Sequence, residues 1–227
     1  MARQPFFPIH KNKPVRIGHE IIEELPKVAE LVGRIAVNWS GVDAQLSVML
    51  GSLLGVENTA SVAVFTALRN HRAQRDALRA AASGIQNEEI RDIFEAILSI
   101  HENLDKQRND YIHCIWGVSS ALPNEILWSS VQAHATMLIN AYHMEKTGQH
   151  THDSRKENIE KSLSVLQLAD LEELNKNIKL LVRHIGSFHS YLRYASIPAG
   201  KYAYDELLRD PAIIAARTKK RDKDSRS

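Results

Sequence analysis

Cysteine is almost absent from this chain of 227 residues, where Cys114 stands alone. An intrachain disulfide is therefore impossible, and a zinc site built on paired cysteines is excluded. A lone thiol suits a reducing compartment. No apolar run approaches the roughly 20 residues that span a bilayer. The opening residues, MARQPFFPIHKNKP, hold no apolar secretion core. Together these point to a cytoplasmic protein with no membrane partner. There is no Gly-rich phosphate loop followed by Lys and no G-x-S-x-G nucleophile turn. No repeat of 20–50 residues and no low-complexity tract appears, so one domain is expected. No cofactor and no metal is called for by any motif. The sequence His150-Thr151-His152-Asp153 gathers possible ligands, but in a polar loop with no further pair in view.

What is present is an ordinary folding composition, 44% hydrophobic and 25% charged, with a net charge of +2. The charge is unevenly spread. Arg3, Lys11, Lys13 and Arg16 precede the first acid, and five basic residues against two acids lie between Thr218 and Ser227. The middle is mildly acidic. Basic ends can assist nucleic-acid binding, or simply be solvated termini.

Apolar spacing predicts helices. After an extended basic arm over 1–17, Ile21 to Leu53 recurs at steps of three and four, interrupted near Pro26. A second helix is expected over 58–82, a third over 87–113 and a last long one over 169–194. Between the third and the last, residues 114–131 read as a β-hairpin around Leu122-Pro123-Asn124. Residues 143–160 read as a polar loop, and 201–227 as a short helix with a basic tail. The expectation is an all-α, four-to-five-helix bundle over 18–200, with a small β-hairpin inserted after the third long helix.

One constellation carries chemistry. The third helix ends in Lys106-Gln107-Arg108-Asn109-Asp110-Tyr111-Ile112-His113. Arginine is permanently charged and its planar fork fits phosphate oxygens. Histidine titrates near neutrality and serves as acid or base. An Asn amide can hydrogen-bond phosphate or orient the His. RNA supplies its own nucleophile, the 2′-hydroxyl, so such a set needs no metal. At about 100° per residue, Asn109 and His113 share a helix face, while Arg108 and His113 lie about 140° apart.

Arg108-Asn109-x-x-x-His113 at the end of a bundle helix resembles the motif of the HEPN family, helical-bundle proteins of which many are metal-independent ribonucleases. The resemblance implies catalytic roles for Arg108, Asn109 and His113. It also implies a homodimer in which two motifs face one cleft, and an RNA substrate cut to a 2′,3′-cyclic phosphate. A toxin or antiviral defence setting, with an inhibitory or regulatory protein partner, follows from the same likeness. Only the short motif is specific. The bare Arg-x4-His spacing is expected about once by chance in a chain of this composition. Arg183 with His189, on the last helix, is a rival pair.

The same residues have a plain structural reading: Arg108 with Asp105, Lys106 with Asp110, and His113 near a helix C-terminus. Under that reading the chain is a non-catalytic, dimeric helical interaction module that binds a protein or nucleotide partner. Arg72, Arg75 and Arg79 form a basic stripe on the second helix, either an RNA track or a solvated face. Trp39, Trp116 and Trp128 sit in apolar contexts that favour core packing over base stacking. Cys114 reads as a small packed residue, not a nucleophile.

Overall fold

Pro26 opens the first long helix, where its fixed φ and missing N–H do no harm. A 3₁₀ turn over His19–Glu24 precedes it. The protein is seen in a computed structural model that describes residues 4–11, 13–56, 59–147, 157 and 159–224. Eight α-helices are described: α1 Pro26–Leu53, α2 Thr59–Ala67, α3 His71–Ala81, α4 Glu88–Ile112, α5 Val131–Thr147, α6 Leu168–Tyr194, α7 Pro198–Arg209 and α8 Pro211–Asp224. Five strands accompany them: β1 Gln4–Pro5, β2 Arg16–Ile17, β3 Cys114–Val118, β4 Ile126–Ser130 and β5 Ser164–Leu166. None of the described helices is long and apolar enough to cross a membrane.

The chain divides into two units. One comprises Met1–Ala36 and Lys106–Asn175, the other Val37–Asp105 and Lys176–Ser227. Helices α1, α4 and α6 each contribute residues to both.

The first unit holds the sheet. Its strands are antiparallel in the order β1-β5-β4-β3-β2. The expected hairpin is its centre, with Trp116 opposite Trp128. The sheet is larger than that hairpin because both ends of the basic arm and the segment before α6 pair onto it. Those outer strands are two or three residues long, too short to show any alternation in sequence. Phe6, Leu122, Leu127, Leu163 and Val165 form the apolar cluster here, and the Phe6 N–H donates to the Leu163 carbonyl at 3.1 Å. Gly117 is required by close approach: a Cβ there would lie 2.8 Å from the Arg16 carbonyl oxygen. Helix α5, not expected from sequence, begins where Ser130 Oγ accepts from the Ala133 N–H at 3.1 Å. Its Val131, Leu138, Ile139 and Tyr142 are exposed, so it has no full buried stripe for a sequence reading to find.

The second unit is helical. Ile93, Phe94, Ile97 and Leu98 of α4 are buried, as are Ile178, Leu181, Ile185 and Phe188 of α6, and the Phe94 and Phe188 rings lie 5.8 Å apart. The single helix expected over 58–82 is two. The Leu68 N–H turns back to the Phe65 carbonyl, and Asn70 caps α3 by accepting from the Arg72 N–H at 2.8 Å. Gln74 Nε2 donates to the Leu68 carbonyl at 2.8 Å and holds the bend. The basic tail is also more ordered than a tail: α8 runs through residue 224, with Ile213 fully buried and Lys220 Nζ 3.0 Å from Asp92.

Candidate functional site

The end of α4 is anchored from below and open above. Tyr111 is buried, its ring edge-on to Trp128 at 5.3 Å. The His113 N–H donates to the Asn109 carbonyl at 3.3 Å, so helical geometry persists through the motif. Strand β3 then starts at Cys114, whose Sγ donates to the Tyr111 carbonyl at 3.3 Å. This fixes where the preceding turn points its side chains. Asn109 and His113, one turn apart, are both exposed, and Arg108 is half-buried. The helix therefore brings Asn109 and His113 onto one face and turns Arg108 aside by about 140°. Among the described residues no side chain holds the His113 ring by a hydrogen bond or ion pair.

Cys114 is not poised for chemistry. Burial pushes its thiol up to about 12, a backbone hydrogen bond opposes this weakly, and Asp110 adds to the rise.

The basic stripe on α3 is largely neutralised within its own unit. The Arg75 guanidinium lies 3.7 Å from Asp105 and 3.8 Å from Glu102, and Arg79 Nε lies 3.2 Å from Glu95. Arg72, the third of the stripe, is exposed and has no such acid beside it among the described residues. A phosphate approaching Arg75 or Arg79 would have to displace a carboxylate. Trp39, Trp116 and Trp128 are all buried, which favours packing over base stacking.

The rival pair is split. Arg183 contacts Glu206 at 3.3 Å and Asp210 at 3.4 Å, while His189 lines a cavity beside Gly51 and Val48. The two side chains serve different neighbourhoods.

Two imidazole–carboxylate pairs were not foreseen from sequence. His71 Nδ1 lies 2.8 Å from Asp105 Oδ1, beside Trp39, whose ring centroid is 6.1 Å from that of His71. His184 Nε2 lies 2.8 Å from Asp210 Oδ2. Asp210 is a junction: its other oxygen accepts from the Ala212 N–H at 2.9 Å and caps α8. Burial pushes the Asp210 carboxyl up, but the His184 hydrogen bond and charge, with the Ala212 and Ile213 N–H groups, outweigh it and hold it below the usual range. Each pair joins residues far apart in sequence, so no local spacing announces it. The only signal was Asp105 following Leu104 on the buried side of α4.

No three His, Cys, Asp or Glu side chains gather as metal ligands among the described residues. The His150–His152–Asp153 run lies outside them. In comparison with known proteins, the chain matches no family model, no curated protein and no solved structure.

Proposed function

We propose that this chain is a metal-independent endoribonuclease of HEPN type that works as a homodimer. The observation that carries the reading is the exposure of Asn109 and His113, one turn apart at the end of α4, where Tyr111 packs on Trp128. His113 takes the proton from the ribose 2′-hydroxyl, or delivers one to the leaving 5′-oxygen. The 2′-oxygen bonds to phosphorus as the P–O5′ bond breaks, giving a 2′,3′-cyclic phosphate. Arg108 stabilises the charge of the five-coordinate phosphate, and Asn109 orients it. One chain presents Arg108 and His113 in different directions, so the complete set is assembled from two chains. Exposed Val131, Leu138 and Tyr142 on α5 recur at seven and four residues, a spacing that suits a helix partner from the second copy. A toxin or defence setting with a controlling protein belongs to the same reading.

The test is cleavage of mixed labelled RNA in EDTA. Wild type should cut, and Arg108→Ala and His113→Ala should not, with unchanged circular dichroism. Cutting that survives both substitutions would sink the assignment. That no described side chain orients His113 favours a second reading, a non-catalytic dimeric module that binds a protein or nucleotide. That reading takes over if wild type leaves every RNA intact while remaining dimeric.

A further inference from the structure

A groove of about 360 Å³ in the second unit is lined by Ser99, Asn103, Asn177, His184, Ala215 and Lys219, contributed by α4, α6 and α8. Its polar groups are of unusual quality for a surface depression. The His184 side chain is only 4% exposed, and its Nε2 is committed to Asp210. Nδ1, on the other side of the ring, is buried with no hydrogen-bond partner among the described residues. A buried polar atom left unpaired costs free energy, on the order of 1–3 kcal/mol, unless something else satisfies it. The carboxylate 2.8 Å from Nε2 restrains the imidazole, and both ring nitrogens are buried.

The groups around the ring define what the groove would take. Lys219 offers a point positive charge at the rim, suited to a phosphate. The amides of Asn103 and Asn177 each present donors and an acceptor, and Ser99 a hydroxyl. That mixture matches hydroxyl groups, which also donate and accept. Small residues on α8, Ala215 and Ala216, leave the space unfilled. The volume lies in the range of small-molecule sites. We propose that this groove binds a small phosphorylated polyol of the sugar-phosphate class, with the phosphate on Lys219 and the hydroxyls on Ser99, Asn103 and Asn177. Asn103 stands five residues before Arg108 on α4, but the proposal is read by ligand binding and stands or falls independently of RNA cleavage.

Isothermal titration calorimetry of the full chain tests it, with ribose 5-phosphate, glucose 6-phosphate, unphosphorylated ribose and inorganic phosphate as probes. One or both sugar phosphates should bind, and more tightly than either part alone. Ala215→Leu, which fills the groove from an exposed helix position, should abolish binding. Lys219→Ala should weaken it about fivefold to tenfold, the effect of one exposed charge-assisted contact. Circular dichroism confirms that both variants fold. The proposal is overturned if neither sugar phosphate binds at millimolar concentration, if inorganic phosphate alone binds as well as the esters, or if both variants bind like wild type.

Discussion

Asp210→Ala should destabilise the protein by about 2–4 kcal/mol at pH 7, far more than its place between two helices in sequence suggests. Two losses combine. The Ala212 and Ile213 N–H groups lose the oxygen that accepts from them at 2.9 and 3.4 Å, and removing such a helix cap costs about 1 kcal/mol. His184 also loses the carboxylate 2.8 Å from its Nε2, within a buried setting. Removing one member of a buried pair costs about 3–5 kcal/mol. The pair contributes less than that here, about 1–3 kcal/mol, because Asp210 is not fully buried and Arg183 keeps Glu206 at 3.3 Å.

The pH dependence gives the sharper check. The Asp210 carboxyl is held below its usual value when folded. Its stabilisation is therefore fully present above the unfolded value, about pH 4, and is lost as pH falls through the folded one. Urea unfolding of wild type and variant, followed by both circular dichroism and tryptophan fluorescence, should show a steady gap from pH 5 to 7. The gap should narrow progressively below pH 4. A gap under about 1 kcal/mol at pH 7 would refute the reasoning, as would one that persists unchanged to pH 2.5.

Asn70→Ala removes the cap of α3 and should lower stability by about 1 kcal/mol in the same urea assay. Asn70→Asp should retain most of it, and equal losses in both would count against the cap. Cys114, with its thiol pushed up to about 12, should resist an aromatic disulfide reagent at pH 8 and react at once in urea; fast reaction of the native protein would contradict this. Arg108→Ala and His113→Ala chains, each inert, should regain about a quarter of wild-type cleavage when mixed and refolded together, since half the dimers then carry one intact set. An inactive mixture beside an active wild type would place the whole site within one chain.

The long helices were legible because their buried residues repeat with the helix period. Ile90, Ile93, Phe94 and Ile97 point α4 inward, and Leu171, Leu174, Ile178, Leu181 and Ile185 do the same for α6. The hairpin was legible through Trp116 and Trp128 around a Pro-Asn turn. What failed was of a different kind. Strands β1, β2 and β5 are short and paired through backbone groups, which carry no side-chain pattern. The break before α3 is a competition in which Asn70's own side chain replaces the helical partner of the Arg72 N–H, and apolar residues on both sides masked it. Helix α5 leaves much of its apolar surface exposed, so the rule that apolar positions mark the core had nothing to act on.

The candidate site shows the same division between local and non-local information. Spacing along α4 sets Asn109 and His113 one turn apart, because a helix is a ruler. It says nothing about which imidazole has a carboxylate behind it. A general base works best when one ring nitrogen is fixed and the other is aimed. Here that support is given to His71 by Asp105 and to His184 by Asp210, while His113 is exposed and no described side chain gives it the same. Arg75 and Arg79 make the parallel point about charge. Their spacing reads as a basic track, yet acids on α4 cancel it, because the sign of a surface is set by whatever packs beside it. If His113 is catalytic, its orientation must come from the substrate or from a second chain.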